Sequence, residues 1–194
     1  VRNFLNLGTL DMLPLQMALV RRPQLWDQHT YRTTFEGTPF GGMSDILLRY
    51  SRPDLHQGNS DPLAVVDDLA LCMYPAWHEL PEAHAAVWSL MTRFNGIHLG
   101  RVIIARLPPG GRILPHADDY GKYALRDDGL RFHVCVQGQP GCLFHCGEET
   151  IQMQTGQVYW FNHKAVHSAE NNSADDRIHL LVDLQDDGGR QWST

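Results

Sequence analysis

His116 and Asp118 stand two residues apart in the stretch RILPHADDYG, directly after a Pro-Pro-Gly-Gly turn. On a strand, residues i and i+2 point to the same face, so an imidazole and a carboxylate converge there on one spot. Such a pair suits a metal, a proton relay or a surface ion pair. A second histidine, His167, follows in NHKAVHSAEN, and Arg177 comes ten residues after it. Two histidines and one carboxylate on one side of a metal form the facial triad of non-haem Fe(II) oxygenases. The positions left open would take a chelating co-substrate and O2. A buried guanidinium at Arg177 suits a carboxylate, which it can grip through two parallel N–H bonds. His163, four residues before His167, is a competing ligand, because i and i+4 also share a strand face. The spacing to Arg177 favours His167, as does the reading of FNHKA as the turn before the strand.

These residues need a β framework. From residue 99 onward, short β-like runs alternate with turn signals: GRVIIARL, GRILPH, RFHVCVQ, GCLFHC, EETIQMQ, GQVYWFN, KAVHSAE and RIHLLVDL. Eight such runs in about 90 residues predict a sandwich or barrel. Before them, LDMLPLQMALVRRPQLWD predicts a helix over 14–21, closed by Pro23. QHTYRTTFEGTPFGG reads as loop or short strand, and SDILLRYS as a strand. Residues 51–67 carry the most turn signals and read as a mobile loop. LPEAHAAVWSLMTRFNG is the clearest helix, with Pro81 in the first turn and Asn95-Gly96 at its end. The expected fold is therefore mainly β with N-terminal helices: a single domain, its residues 1–98 a mixed helical elaboration and 99–186 a double-stranded β-helix (jelly-roll, cupin-like) core.

Two strands predict what lines that core. In RFHVCVQ, Arg131, His133, Cys135 and Gln137 share one face; in DRIHLLVDL, Arg177, His179, Leu181 and Asp183 do. The opposite faces are wholly apolar. If those apolar faces pack on the helices, the polar faces line the jelly-roll interior. Buried charge is costly without partners, and a metal with a dianionic ligand would supply them.

Composition bounds the rest. The chain of 194 residues is 43% hydrophobic and 20% charged, with net charge −6 and no basic stripe, which argues against a nucleic-acid partner. No apolar run is long enough to span a bilayer, and the N-terminal stretch lacks signal-peptide features, so a cytoplasmic protein is expected. Cys142, His145 and Cys146 raise a zinc site, but one cluster without a second reads better as ordinary strand thiols.

Residues 101–184 resemble the aspartyl/asparaginyl β-hydroxylase family of Fe(II)- and 2-oxoglutarate-dependent dioxygenases. The resemblance rests on PPGGRILPHAD, LRFHVCV, GCLFHCGEETIQMQTGQVYWFN and AVHSAENNSADDRIHLLVDL. It implies that His116, Asp118 and His167 bind Fe(II), that Arg177 grips the distal carboxylate of 2-oxoglutarate, and that Arg131 and His133 contact the same co-substrate. Some members have Gly at the place of Asp118. Vertebrate-type members read Asp-Asp-Ser ahead of the distal histidine and His-Glu-Val at it, where this chain has Asn162-His163-Lys164 and His167-Ser168-Ala169. A serine that helps hold the co-substrate there is Ala105 here. The implied reaction is hydroxylation of a C–H bond in an amino-acid-like substrate, free, carrier-tethered or peptidyl. Arg32, Arg49, Trp77, His78, Tyr120, Lys122 and Arg126 are the candidate substrate contacts. The rival expectation is a cupin-like isomerase or hydrolase that uses the same ligands without 2-oxoglutarate and gives Arg131 and Arg177 no task.

Overall fold

The computed structural model describes residues 2–56, 71–118 and 129–188. In chain order they form β1 (Phe4–Thr9), α1 (Leu13–Arg21), α2 (Tyr31–Thr34), β2 (Ser44–Ser51), β3 (Leu71–Met73), α3 (Pro75–Glu79), α4 (His84–Arg93), β4 (Gly96–Leu107) and β5 (Arg112–His116). Then follow β6 (Leu130–Gln137), β7 (Cys142–Cys146), β8 (Glu149–Ile151), β9 (Gln157–Phe161), β10 (His167–Asn171) and β11 (Arg177–Asp186). A seven-stranded sheet runs in the order β1-β9-β6-β11-β4-β2-β3, and a four-stranded sheet in the order β5-β10-β7-β8. The two sheets make the expected jelly roll.

Period-two alternation decides how the layers stack. Phe132, Val134 and Val136 of β6 and Leu180, Val182 and Leu184 of β11 are buried with Leu15 and Leu19 of α1 and Val87 and Leu90 of α4. Burying each such side chain is worth about 1.5–3 kcal/mol, which outweighs any tendency of these strands to turn over. Their other faces are thereby committed to the space between the sheets. There Phe144, Phe161, Ile103 and Leu47 form a second apolar cluster, and the charged residues of β6 and β11 stand among them.

The N-terminal half is less helical than its sequence suggests. β1 pairs with β9, and β2 with β4, so this half completes the larger sheet at both edges. β1 lacks a clean alternation because its register shifts between Asn6 and Thr9, where Gly8 takes φ +97°. YRTT within the expected loop is a short helix, α2. Helix α1 begins one residue earlier than predicted and has Pro14 in its first turn. Most of the loop expected over 51–67 lies outside the described residues. Cys142 and Cys146 turn inward on β7 while His145 turns out, and all four cysteines are free thiols. Strand alternation thus separates the ligands that a zinc site would need together. Among the described residues, no helix is long and apolar enough to cross a membrane.

Candidate metal and co-substrate site

The smaller sheet builds the trio. β10 pairs antiparallel with β5 in a register that sets His167 opposite His116, and their ring centroids are 4.3 Å apart. Asp118 lies two residues past the end of β5. Its backbone N–H donates to the carbonyl of His163 at 2.9 Å, which ties it to the turn before β10. One donor atom from each of His116, Asp118 and His167 lies within 4.8 Å of the other two. His163 offers Asp118 that carbonyl, and its ring is not among the three donors that converge.

Both rings are set for metal binding. Nδ1 of His116 donates to the Leu114 carbonyl at 2.7 Å, and Nδ1 of His167 donates to the Ala165 carbonyl at 2.9 Å. A carbonyl only accepts, so Nδ1 carries the proton and Nε2 keeps its lone pair. The two Nε2 atoms each lie 3.7 Å from a different oxygen of Asp118. Burial pushes the His167 imidazole down to about 4 against the pull of Asp118, and it lowers His116 as well. Both rings are therefore neutral at neutral pH. Burial alone would raise the Asp118 carboxyl. The Arg131 guanidinium, with His167, Arg101 and His116 beyond it, outweighs that effect and holds it well below the usual carboxylate range. Asp118 Oδ1 is nevertheless buried without any hydrogen-bond partner, an arrangement that costs stability unless a cation completes it. Two neutral imidazoles and one carboxylate fit Fe(II).

The trio opens into a cavity lined also by Phe40, Phe144 and Phe161. Arg177, from the start of β11, lines the same cavity and is 3% exposed. Burial brings its guanidinium down to about 10, so it stays charged. Among the described residues no carboxylate lies within ion-pair distance of it. Its Nη2 donates instead to His179 Nδ1 at 3.3 Å, and its guanidinium sits 5.6 Å from the centre of the Phe144 ring. That ring is 6.2 Å from the ring of His167. Arg177 and His167 thus both lie near the Phe144 ring.

His133 stacks on Phe144 at 5.0 Å, and its Nδ1 meets His179 Nδ1 at 3.3 Å. Arg131 lines the cavity, yet its fork faces the carboxylates of Asp183 and Asp118. Of the candidate substrate contacts, Arg32 reaches the cavity, locked side-on to Asp45 at 2.8 and 2.6 Å. Arg49, Trp77 and His78 do not reach it. Arg49 follows a register shift on β2 and donates to the Gly100 carbonyl. Trp77 is buried among the helices and stacks on His84, while His78 is exposed on α3. Tyr120, Lys122 and Arg126 lie outside the described residues. Sequence reading did not single out Arg101, His179 or Asp183 as site residues, although all three are buried beside the site. The signal for the last two was present, since they share the strand face of Arg177.

The two sheets form a jelly roll that brings to one cavity a trio able to hold a metal ion and a buried arginine. Residues 72–187 match the model of the aspartyl/asparaginyl beta-hydroxylase family, and the chain belongs to that family. It is 31% identical over 100 residues to L-proline cis-3-hydroxylase 1 of Streptomyces sp. That match covers 51% of this chain and 34% of the relative, so it spans about a third of the relative's length. A 2OG-Fe(II) oxygenase family oxidoreductase from Burkholderia pseudomallei shares the fold, with TM-score 0.53 and 14% identity over 86% of this chain and 78% of that one.

Proposed function

We propose that this protein is a cytoplasmic Fe(II)- and 2-oxoglutarate-dependent hydroxylase of a small amino-acid-like substrate. The observation that carries the reading is the convergence of His116, Asp118 and His167 on one cavity with Arg177, a buried cation that has no carboxylate partner among the described residues. His116 and His167 would hold the metal through Nε2, and Asp118 through Oδ1. Arg177 would bind the far carboxylate of the co-substrate where the surroundings are low in dielectric and the attraction is strong. Phe144 and Phe161 line the same cavity. Bound there, iron, 2-oxoglutarate and O2 supply the oxidising chemistry, and the protein positions the target carbon. The similarity to a proline hydroxylase supports a free amino acid before a peptidyl one. The negative net charge supports the absence of a nucleic-acid partner, and four unpaired thiols fit a reducing compartment. Residues 1–98 and 99–186 would act as one domain, because β1, β2 and β3 extend the sheet that carries Arg131 and Arg177.

The test is an anaerobic titration of Fe(II) and 2-oxoglutarate into metal-free protein, followed by a screen of free amino acids for succinate release. A visible band that needs both additions and is lost in His116→Ala is expected. Tight metal binding with no response to 2-oxoglutarate would replace this reading by the cupin-like metalloprotein. No metal binding at all would overturn both.

A further inference from the structure

Four buried side chains of alternating sign form a chain beside the cavity, and three of them, Arg101, Arg131 and Asp118, line it. Arg101 Nε donates to Asp183 Oδ2 at 3.0 Å. Asp183 in turn receives Arg131 side-on, with Nε on Oδ1 at 2.6 Å and Nη2 on Oδ2 at 2.7 Å. Arg131 Nη1 then donates to Asp118 Oδ2. All four are at least nine-tenths buried. The ladder crosses three adjacent strands, with Asp183 of β11 directly opposite Arg131 of β6, and the register of β4 shifts where Arg101 joins it. A shift of this kind re-aims a side chain next to a site. The ladder starts in the larger sheet and ends on a residue carried by the smaller one.

We propose that Asp183 is a positioning residue for the metal site, acting on Asp118 through Arg131. The inference rests on the metal reading above and extends it to a residue with no contact to the metal ligands. A long guanidinium side chain left alone samples many rotamers. Held on both fork nitrogens by one carboxylate, it has a fixed plane and a fixed direction for its remaining N–H group. That group occupies Oδ2 of Asp118. The other oxygen, Oδ1, then has no protein partner and faces His116 Nε2 at 3.7 Å. Asp183 thereby decides which oxygen of Asp118 is presented and holds it still. Outer partners of this kind govern metal affinity without touching the metal.

The experiment is Mn(II) affinity of the full chain by titration, together with the visible spectrum of the Co(II)-loaded protein, for wild type and Asp183→Asn. Asparagine keeps the shape but turns an amide N–H toward the fork. Mn(II) binding is expected to weaken by about 10–100-fold, with a changed Co(II) spectrum that reports a different ligand field. In the Asp118→Asn background the same substitution is expected to add less than about threefold, because its route to the metal is already cut. A merely structural tie would lower the unfolding midpoint, leave the Co(II) spectrum unchanged and add in full to Asp118→Asn. Either that pattern or a folded Asp183→Asn with wild-type Mn(II) affinity overturns the proposal while leaving the metal site intact. If Asp183→Asn does not fold, Arg131→Lys carries the test, since it keeps the cation and loses the side-on fork. The same loss is expected of it, and wild-type affinity overturns the proposal. A wild-type protein that takes up no Mn(II) would instead sink the metal reading beneath it.

Discussion

His116 and His167 are direct cross-strand partners in β5 and β10, and each gives its Nδ1 proton to the carbonyl two residues before it. The two rings therefore present matched lone pairs to one point from a rigid sheet, the placement that a preorganised metal site requires. Replacing either ring removes a ligand without removing the framework. His167→Ala is expected to weaken Mn(II) binding by more than about 100-fold, beyond the loss caused by outer partners, with a near-native far-ultraviolet circular dichroism spectrum. Retained affinity would mean that another group, His163 first, completes the site.

Arg177 and the trio occupy the same cavity but should fail separately. Arg177→Met removes the buried cavity cation that has no carboxylate partner among the described residues. Its loss is expected to raise the dissociation constant for 2-oxoglutarate by roughly 100-fold, about 3 kcal/mol, while Mn(II) affinity stays within about threefold. Arg177→Lys should recover part of the loss, since it restores a charge without the fork. Calorimetric titration of the Mn(II)-loaded protein measures both. An equal loss of metal binding would show that Arg177 supports the trio rather than the co-substrate.

Stability of the metal-free protein should fall on mild acidification. Burial holds His163 and His167 near 4 in the folded state, against about 6.5 when unfolded. Between those values the unfolded chain binds protons that the native one does not, so stability rises with pH across this window. At pH 5 each ring should have removed roughly 2 kcal/mol relative to neutral pH. Asp118 works in the other direction, because its carboxyl is depressed on folding. Its contribution is lost only below the ordinary carboxylate range, outside this window. Urea unfolding at pH 7 and pH 5 checks the sign. Equal stability at both would mean that the rings protonate within the fold.

Gly156 is where β1 and β6 meet the turn before β9. Its φ is +88°, and a Cβ there would lie 2.8 Å from the Leu10 carbonyl oxygen. Its N–H donates to Cys135 and its carbonyl accepts from Leu10, so the segment cannot relax without breaking a bond on either side. Gly156→Ala is expected to cost about 1–3 kcal/mol and to lower the melting temperature by about 2–4 °C per kcal/mol. Thermal unfolding measures it, and an unchanged midpoint would show that the turn adapts.

Much of this protein is legible in one dimension because strand periodicity and ligand chemistry are local. Eight β runs stand where they were read, and the alternation of RFHVCVQ and RIHLLVDL already separates a charged face from an apolar one. His116, Asp118, His167 and Arg177 can be named from residue type and spacing. Alternation defines two faces without saying which is inside, and the packing of Phe132, Val134, Leu180 and Val182 on α1 and α4 settles that. Register across strands far apart in sequence set His167, and not His163, opposite His116. It also set Arg131, an expected co-substrate contact, against Asp183 and Asp118 at the cavity wall. Arg49, Trp77 and His78 looked suitable by residue type, yet none reaches the cavity, because a register shift, a helix face and an exposed position direct them elsewhere. Residue type limits what a side chain can do. Its partners come from strands that only the folded chain brings side by side, and burial between the sheets makes those partners decisive.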